Sequence, residues 1–550
     1  MKDQLSPQKL NWLYLLLGMA VLVNLSGLFV TIIGPDGTLY ASISKTMVLK
    51  NNYVELFVEG RDWLDKPHFP FWMAAFSFKL FGVSTFAYKI PAILFLFIGA
   101  YYTYKLAADI HGKEIGLWAA LILLTAQHVV ISNNDVRAEP YLTGLIIGSV
   151  YHFFKAQQKG WLIHLLLGSL FAACAVMTKG IFALVPVVGA IAGSLLITKN
   201  WHMLFNLRWL LAFIFVSVLI LPELWCLYAQ FDMHPEKLVF DQQNVSGLRF
   251  FFWDSQFGRF FNTGPIKKSG GDPAFFLHTS IWAFLPWSFI FYCAVVQFIS
   301  KKALRIQKSD WICISGAALT LIVLSASSFQ LPHYIIMIFP FFAIIAAKYI
   351  SSLTSPRTIR NVKTLQYVVM SLMVTAIVVI QVLFQPDLSI VLLIVIAGLI
   401  ALSIYFYRKH FAIYLSTVLV ALVVNFFFNL AFYPKLVTYQ ADSEAAFWLN
   451  KHNDRGFPVV KVVNNFNHAL NFYSNFEVHN YRPGEEDLLP PRPYLLYAET
   501  EAINQMINDG MQIQPVKTFD NYRISRLKLK FLNVKTRKET LSTTEIVLVR

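Results

Sequence analysis

Long apolar runs, separated by short polar stretches, follow one another through the first 430 residues of the chain. A run of about 20 apolar residues spans the ~30 Å hydrocarbon core of a bilayer as an α-helix. Candidate runs lie near residues 12–33, 83–108, 115–132, 140–155, 161–178, 181–198, 209–228, 280–300, 311–327, 335–350, 365–384, 388–406 and 411–432. The pattern therefore predicts an α-helical polytopic membrane protein with about 13 transmembrane helices.

The pattern changes after residue 433. Short β-branched runs at 459–463, 493–499 and 545–549 alternate with helix-like stretches at 441–452 and 499–509. Strands that alternate with helices are typical of an α/β domain. We therefore expect a membrane domain over 1–433, with two long loops at 34–82 and 229–279, and a small α/β domain over 434–550.

Composition and charge support this division and suggest an orientation. Charged residues make up 14% of the chain and hydrophobic residues 56%, whereas soluble domains carry about 25% charged residues. The formal net charge is +15, but the basic residues concentrate in alternate loops, which argues against a nucleic-acid partner. These residues are Lys2, Lys9, Lys113, Lys155, Lys159, Lys199, Arg208, Lys301, Lys302, Arg305, Lys308, Arg357, Arg360, Lys363, Arg408 and Lys409. By the positive-inside rule they place the N-terminus in the cytoplasm and both long loops and the C-terminal domain outside it.

The first polar side chain after the first apolar run is an acid, Asp36, in the stretch IIGPDGTLY. A carboxylate near lipid is costly unless it is paired, which makes it a functional candidate. Pro-Asp-Gly is also a common turn sequence, so a simple helix-end acid is the alternative. Tyr40, Ile43, Met47 and Val48 recur at helical spacing after it, which predicts an interfacial helix.

Further polar residues fall on the same predicted side of the membrane. In WLDKPHFPFW, Lys66 could meet a phosphate and Asp65 could hold Lys66 or a divalent metal, or both could be ordinary interfacial charges beside a tryptophan belt. Arg259, in FGRFF, could bind a phosphate bidentately or stack on its aromatic neighbours. The remaining candidates are Asp135, Arg137, Glu139, Lys179, His68, His278, Gln330, His333 and Tyr334. Their common side predicts one site at the membrane interface.

The ordered motifs resemble those of GT-C glycosyltransferases in the protein O-mannosyltransferase and lipid A aminoarabinose transferase superfamily. The matching stretches are DGTLY (36–40), LDKPHFPFW (64–72), FKLFGVSTFAYKIPA (78–92), RAEPYL (137–142), MTKG (177–180), FGRFFNTG (257–264) and QLPHYIIMIFP (330–340). They cover most of the membrane region in the family's order. The resemblance implies a bacterial inner-membrane enzyme that moves a sugar from a polyprenyl-phosphate donor to an envelope lipid, glycan or protein, with inversion.

The resemblance also implies roles for individual residues. Asp36 corresponds to the family's catalytic acid, and Glu139, with Asp135 as a neighbouring alternative, to the acid of the second outer turn. Lys66, Lys179 and Arg259 would bind the donor phosphate. Tyr40, Asp65, His333 and Tyr334 would line the substrate cleft.

Four departures from the family pattern bear on substrate and metal. Gly37 and Leu39 replace an acid and an arginine, and Gln330 replaces a lysine. Gln256 stands roughly where aminoarabinose transferases have a zinc-binding histidine. These departures argue against a strict aminoarabinose transferase and leave the sugar and any divalent metal open.

Three other functions fit the same pattern less closely. A transporter or flippase of lipid-linked sugars would place charges near the bilayer midplane, whereas here the polar residues gather at one face. A glycan polymerase would use a similar cleft. An assembly protein that acts through its C-terminal domain would not depend on Asp36.

Overall fold

A computed structural model describes residues 7–158, 160–268, 270–300, 307–406, 412–463 and 468–550. Seven of the basic residues that the sequence places on the cytoplasmic side lie outside these ranges. They are Lys2, Lys159, Lys301, Lys302, Arg305, Arg408 and Lys409.

The chain begins with eight helices that carry the first half of the candidate site. They are α1 (Pro7–Leu25), α2 (Pro35–Lys50), α3 (Phe69–Phe81), α4 (Thr85–His111), α5 (Lys113–Thr125), α6 (Gln127–Ser132), α7 (Glu139–Lys155) and α8 (Trp161–Lys179). Glycines with positive φ mark two of the boundaries that matter here, Gly34 (φ 79°) before α2 and Gly180 (φ 85°) after α8. Only glycine adopts such angles without steric cost, so both helix ends depend on it.

Helices also dominate the chain between α8 and residue 440. Their bounds are Ile181–Ile197, Trp201–Asp232, Gly247–Arg249, Phe250–Gly258, Phe275–Ala283, Ser288–Ile299, Lys308–Ala326, Pro332–Ser352, Pro356–Phe384, Ile390–Phe406 and Ile413–Tyr439. Among the described residues, seven helices are long and apolar enough to cross a membrane, and five apolar helices are shorter. The predicted polytopic helical class is confirmed, and the chain is a multi-pass membrane protein. The count of 13 spans stays a prediction.

The first long loop contains α2, a short hairpin and α3. Strands β1 (Phe57–Val58) and β2 (Arg61–Asp62) pair antiparallel and precede Asp65 and Lys66. The predicted helix after Asp36 is present as α2, and its Tyr40, Ile43 and Met47 are buried. They are covered by α3 and by the helix Ala469–Tyr473, so the protein itself covers this apolar face.

The predicted C-terminal α/β unit is present. Strands β3 (Val459–Val462), β4 (Val478–Tyr481), β5 (Tyr494–Glu499), β6 (Ile513–Asn521) and β7 (Ser542–Val549) form one sheet in the order β4-β3-β5-β7-β6. Strands β4 and β5 run parallel to β3, and β7 runs antiparallel to β5 and β6. Alternate residues of β5 enter two apolar clusters, Leu495 and Tyr497 on one face and Tyr494 and Leu496 on the other, as the two-residue period of a strand requires.

The sheet has helices Ala441–His452, Ala469–Tyr473 and Thr500–Asn508 around it. The membrane helix Ile413–Tyr439 runs past residue 433 and ends just before the first of them. The exact division at residues 433 and 434 stays a prediction.

Candidate functional site

A cavity of about 190 Å³ brings together side chains from distant parts of the chain. Nine of the ten predicted site residues line it: Asp36, Tyr40, Asp65, Lys66, Glu139, Lys179, Arg259, His333 and Tyr334. Arg137 lines it as well. The tenth, Asp135, lies beside the cavity, where it is bonded to Arg137. The convergence expected from the topology is therefore present in the fold.

Asp36 lies in the first turn of α2 and forms an ion pair with Arg137. Arg137 Nη1 is 2.6 Å from Asp36 Oδ2, and its Nη2 is 2.6 Å from Asp135 Oδ2. Although burial opposes the charge of Arg137, the carboxylates of Asp135 and Asp36 raise its pKa. Burial raises the pKa of Asp135, against the charge of Arg137. The Asp36 side chain is 45% exposed, so its carboxylate is accessible from the cavity.

Asp65 also lines the cavity and lies between two cations. Lys66 Nζ is 3.0 Å from Asp65 Oδ2, and the Arg259 guanidinium contacts Asp65 Oδ1. Burial alone would raise the pKa of Asp65, but the charges of Lys66 and Arg259 outweigh it and lower the pKa to about 2. Burial and the nearby charge of Arg259 lower the pKa of Lys66 to about 8, against the effect of Asp65. Both cations thus contact one half-buried carboxylate.

Glu139 and Lys179 form the third charged contact. Glu139 is the first residue of α7 and Lys179 the last of α8, and Glu139 Oε1 is 2.6 Å from Lys179 Nζ. The Lys179 ammonium also lies 3.6 Å from the centre of the Tyr334 ring, a cation–π geometry. His333 Nε2 is 3.8 Å from Glu139 Oε1.

Tyr40 closes the wall beside Asp36. Its ring packs edge-on against Trp63 and Phe71, with ring centres 6.1 and 5.4 Å away. Burial, reinforced by the charges of Asp65 and Asp36, raises the pKa of Tyr40 well above its usual value. Its phenol therefore stays protonated and can act as a hydrogen-bond donor.

The cations also border a second, apolar groove. Asp65, Lys66, Lys179 and Arg259 form its polar end. The rest of its lining is mostly apolar and includes Phe182, Val185, Phe260, Val323, Leu324 and Met337. The arrangement matches a molecule with an anionic group joined to a hydrocarbon chain.

The residues at Asp65 do not suit a metal ion. Each carboxylate oxygen of Asp65 already contacts a cation, Lys66 or Arg259. Gln256, at the position of the family histidine, donates hydrogen bonds to Lys179 O and Ser255 Oγ. No group of three or more His, Cys, Asp or Glu side chains with the spacing of a metal site occurs among the described residues.

Arg137 is one of the outer-face candidates in the sequence, but no role in the site is predicted for it there. The family motif has its arginine three residues after the first acid, where this chain has Leu39. Here the guanidinium beside Asp36 comes from the RAEP turn, 101 positions away in the chain. The signal was present, because Arg137 lies two residues before Glu139 in the same motif.

Comparison with known proteins gives sequence matches over part of the chain. The family model for dolichyl-phosphate-mannose-protein mannosyltransferase matches residues 65–225. An undecaprenyl phosphate-alpha-4-amino-4-deoxy-L-arabinose arabinosyl transferase of Enterobacter sp. is 26% identical over 63% of this chain and 61% of its own length. The enzyme of the same name from Pseudomonas paraeruginosa is 29% identical over 50% of this chain and 49% of its own. The chain thus spans less than two thirds of either relative.

The solved structures match over nearly the full length. The crystal structure of ArnT from Cupriavidus metallidurans bound to undecaprenyl phosphate superposes with a TM-score of 0.74 at 16% identity, covering 98% of both chains. The chain has the GT-C fold. The crystal structure of the same ArnT in the apo state superposes on the chain with a TM-score of 0.73, again covering 98% of both chains. The resemblance inferred from the ordered motifs is confirmed, and the candidate cavity lies in a protein with the GT-C fold.

Proposed function

We propose that this GT-C protein is an integral-membrane glycosyltransferase that uses a polyprenyl-phosphate-linked sugar. The observation that carries the proposal is a cavity lined by four cations and three carboxylates that shares three of these cations with an apolar groove. A lipid-linked sugar needs these three environments: an apolar groove for the chain, cations for the phosphate and polar groups for the sugar. The similar arabinosyl transferases have undecaprenyl phosphate in their names, and ArnT was crystallised with undecaprenyl phosphate, which supports this donor class.

The cations of the groove would stabilise the leaving group, polyprenyl phosphate. When the bond between the anomeric carbon and the phosphate oxygen breaks, negative charge grows on the polyprenyl phosphate. Lys66, Lys179 and Arg259 all line the groove and would stabilise that charge. Binding the phosphate would also fix the position of the sugar above the carboxylates.

Asp36 is the proposed general base. Its carboxylate is accessible, and the ion pair with Arg137 fixes one oxygen. An acceptor hydroxyl would give its proton to Asp36 as its oxygen attacks the anomeric carbon from the side opposite the phosphate, which inverts the configuration. Glu139 and Asp135 would orient Lys179 and Arg137. An acceptor phosphate would need no base, and Asp36 would then orient groups.

The location and the acceptor follow from the same proposal. The positive-inside pattern favours a bacterial inner membrane with the N-terminus in the cytoplasm and the cavity and C-terminal domain outside it. Lipid A, another envelope glycan or lipid, and a secreted protein are all acceptors that reach this face. The departures at Gly37, Leu39 and Gln330 leave the sugar open.

Substitution of Arg259 by methionine tests the phosphate contact. Purified protein in lipid nanodiscs is incubated with a panel of polyprenyl-phosphate sugars and envelope acceptors, and free polyprenyl phosphate is measured. We expect release by the native protein, and at least a ~10-fold lower kcat/KM for Arg259→Met, because one charge-assisted contact is worth about 1.5–3 kcal/mol. Arg249→Met is the matched control, since this arginine is exposed and lies 3.6 Å from Asp254.

The same preparation separates the enzyme from the alternative function. Transbilayer movement of the lipid-linked sugars in vesicles without release of polyprenyl phosphate would contradict the proposal and support a transporter or flippase. Equal release by Arg259→Met and Arg249→Met would remove Arg259 from the phosphate site.

A pH profile tests Lys66. Because its pKa is lowered to about 8, Lys66 is a cation below this pH and loses its charge as the pH rises through it. We expect kcat/KM for the donor, which reports the free enzyme, to fall above about pH 8. Lys66→Arg keeps a charge at every accessible pH, so the fall should disappear. A fall that persists in Lys66→Arg would assign it to another group.

A further inference from the structure

The segment Ile32–Gly34 connects α1 to α2 and ends two residues before Asp36. Its main-chain groups bond to side chains that come from more than 400 positions later in the chain. One further bond, from Ile33 N to Asn134 O (3.2 Å), joins the segment to the turn that carries Asp135. The position of Asp36 thus depends on contacts that local sequence does not supply.

Gln440 makes two of these contacts with one amide group. Its Nε2 donates to Ile32 O (3.2 Å), and its Oε1 accepts from Gly34 N (3.1 Å). The amide therefore pairs with the segment as a neighbouring strand would, using one donor and one acceptor. Two parallel bonds fix both the position and the orientation of the segment. Gln440 is 7% exposed, so both bonds lie within the protein.

Tyr473 makes the third contact from a different helix. Its hydroxyl accepts from Ile32 N (2.9 Å) and bonds to Thr85 Oγ1 (2.9 Å) at the start of α4. Tyr473 thus joins the segment to both the C-terminal unit and the membrane helices. Gln440 and Tyr473 thus hold the segment at Ile32 and Gly34, and Gly34, with φ 79°, turns the chain directly into Pro35 and Asp36.

The same C-terminal helix also supports α2 beyond Asp36. Lys45 Nζ donates to the carbonyl oxygens of Asn471 (2.9 Å), Phe472 (3.0 Å) and Ser474 (2.7 Å). Ser42 Oγ donates to His468 O (3.0 Å). Contacts therefore lie on both sides of Asp36 along the chain.

We propose that Gln440 and Tyr473 are positioning residues for Asp36, and that the C-terminal unit sets the geometry of the reaction through them. The inference rests on the proposed function, in which Asp36 contacts the acceptor. A shift of about 1 Å in a reacting group can lower a rate about 100-fold. Loss of the Gln440 amide leaves Ile32 O and Gly34 N without their partners, so the segment relaxes and Asp36 moves with it.

The test compares Gln440→Ala with Gln366→Ala in the full-length protein in nanodiscs. Gln366 is a matched control because its amide is also buried and also bonds to a main-chain oxygen, Pro286 O (2.9 Å). We expect Gln440→Ala to lower kcat about 10- to 100-fold with an unchanged KM for the donor, since the phosphate cations are untouched. Hydrogen exchange at the amides of residues 30–36 should become faster in Gln440→Ala only.

A double variant adds a readout that general destabilisation would not change. In the Asp36→Asn background there is no base to position, so Gln440→Ala should lower the residual rate less than twofold. Tyr473→Phe keeps the ring and removes only the hydroxyl, and it serves where Gln440→Ala does not fold. We expect Tyr473→Phe to lower kcat as well, by a smaller factor than Gln440→Ala.

The outcomes separate the two proposals. An unchanged kcat in Gln440→Ala, a raised KM with an unchanged kcat, or equal exchange in both variants would overturn the positioning role while native turnover stands. Full additivity with Asp36→Asn would also overturn it. Absence of turnover in the native protein would overturn the proposed function, and the positioning role with it.

Discussion

Asp36→Asn lowers the turnover of a hydroxyl acceptor by about 10²–10⁴-fold, the range expected for loss of a general base. Asparagine has the same shape and its oxygen can still accept from Arg137, which lies 2.6 Å from the carboxylate. It cannot take a proton from the acceptor. The measurement is release of free polyprenyl phosphate in the presence of acceptor, with donor binding followed separately. KM for the donor should stay within about twofold, because the phosphate contacts come from other residues.

Asp254→Asn is the control for this prediction. Asp254 is an acid of the second long loop whose recorded ion-pair partner is Arg249, and it does not line the cavity. Its replacement should leave turnover unchanged. Equal release by native protein and Asp36→Asn would remove Asp36 from catalysis and direct attention to Glu139. A rise in KM alone would assign Asp36 to donor binding.

Glu59→Gln lowers the stability of the folded protein by about 3–5 kcal/mol, as expected when one partner of a buried ion pair is lost. Glu59 lies between β1 and β2 and contacts Lys461 Nζ at 2.5 Å and His468 Nδ1 at 2.9 Å. The side chain of Lys461 is 0% exposed and that of Glu59 is 5% exposed. Glutamine would leave the ammonium of Lys461 buried without its nearest carboxylate. The measurement is the melting temperature of the full-length protein in nanodiscs.

Two variants and a pH series check the mechanism of this loss. Glu236→Gln, in an exposed pair with His234, should leave the melting temperature nearly unchanged. Glu59→Gln combined with Lys461→Met should recover most of the loss, because both charges are then absent. A double variant no more stable than Glu59→Gln would contradict this account.

The pH dependence of the Glu59 contribution has a definite sign. Burial would raise the pKa of Glu59, but the hydrogen bond from His468 and the charge of Lys461 lower it from 4.5 to about 2. A lowered carboxyl pKa stabilises the fold fully above the unfolded value and less as the pH falls. We therefore expect the gap between native protein and Glu59→Gln to be constant above about pH 5 and to close as the pH falls towards 2.

Periodicity and motif order predicted most of the fold because they depend on local sequence. Apolar runs of bilayer length predict helices wherever they occur, and α2 was visible in the spacing of Tyr40, Ile43 and Met47. In the sheet, the three strands with apolar runs were predicted. Strands β4 and β6 were not, because they lie at the sheet edges, where polar residues such as His479 and Asp520 are tolerated.

The sequence predicted which residues line the site, but it did not predict which of them contact each other. Motif order and topology indicated nine of the residues that line the cavity. The sequence did not predict the ion pair between Arg137 and Asp36. It also did not predict the hydrogen bonds of Gln440 to Ile32 and Gly34. These contacts join residues about 100 and 400 positions apart. A single sequence does not indicate such a contact, because residues in several different loops could supply the same partner.

Under the proposed function, the pairing of Asp65 and Glu139 with the cations of the cavity would have a consequence for the order of events in turnover. Lys66 and Arg259 contact Asp65, and Lys179 contacts Glu139, so an arriving lipid phosphate exchanges with anions that are already in place. This competition would weaken the binding of both the donor and the free polyprenyl phosphate, because each carboxylate pairs again with its cation when the lipid leaves. Asp65 and Glu139 would thus compete with the lipid phosphate for the cations, which favours rapid release of polyprenyl phosphate over tight binding.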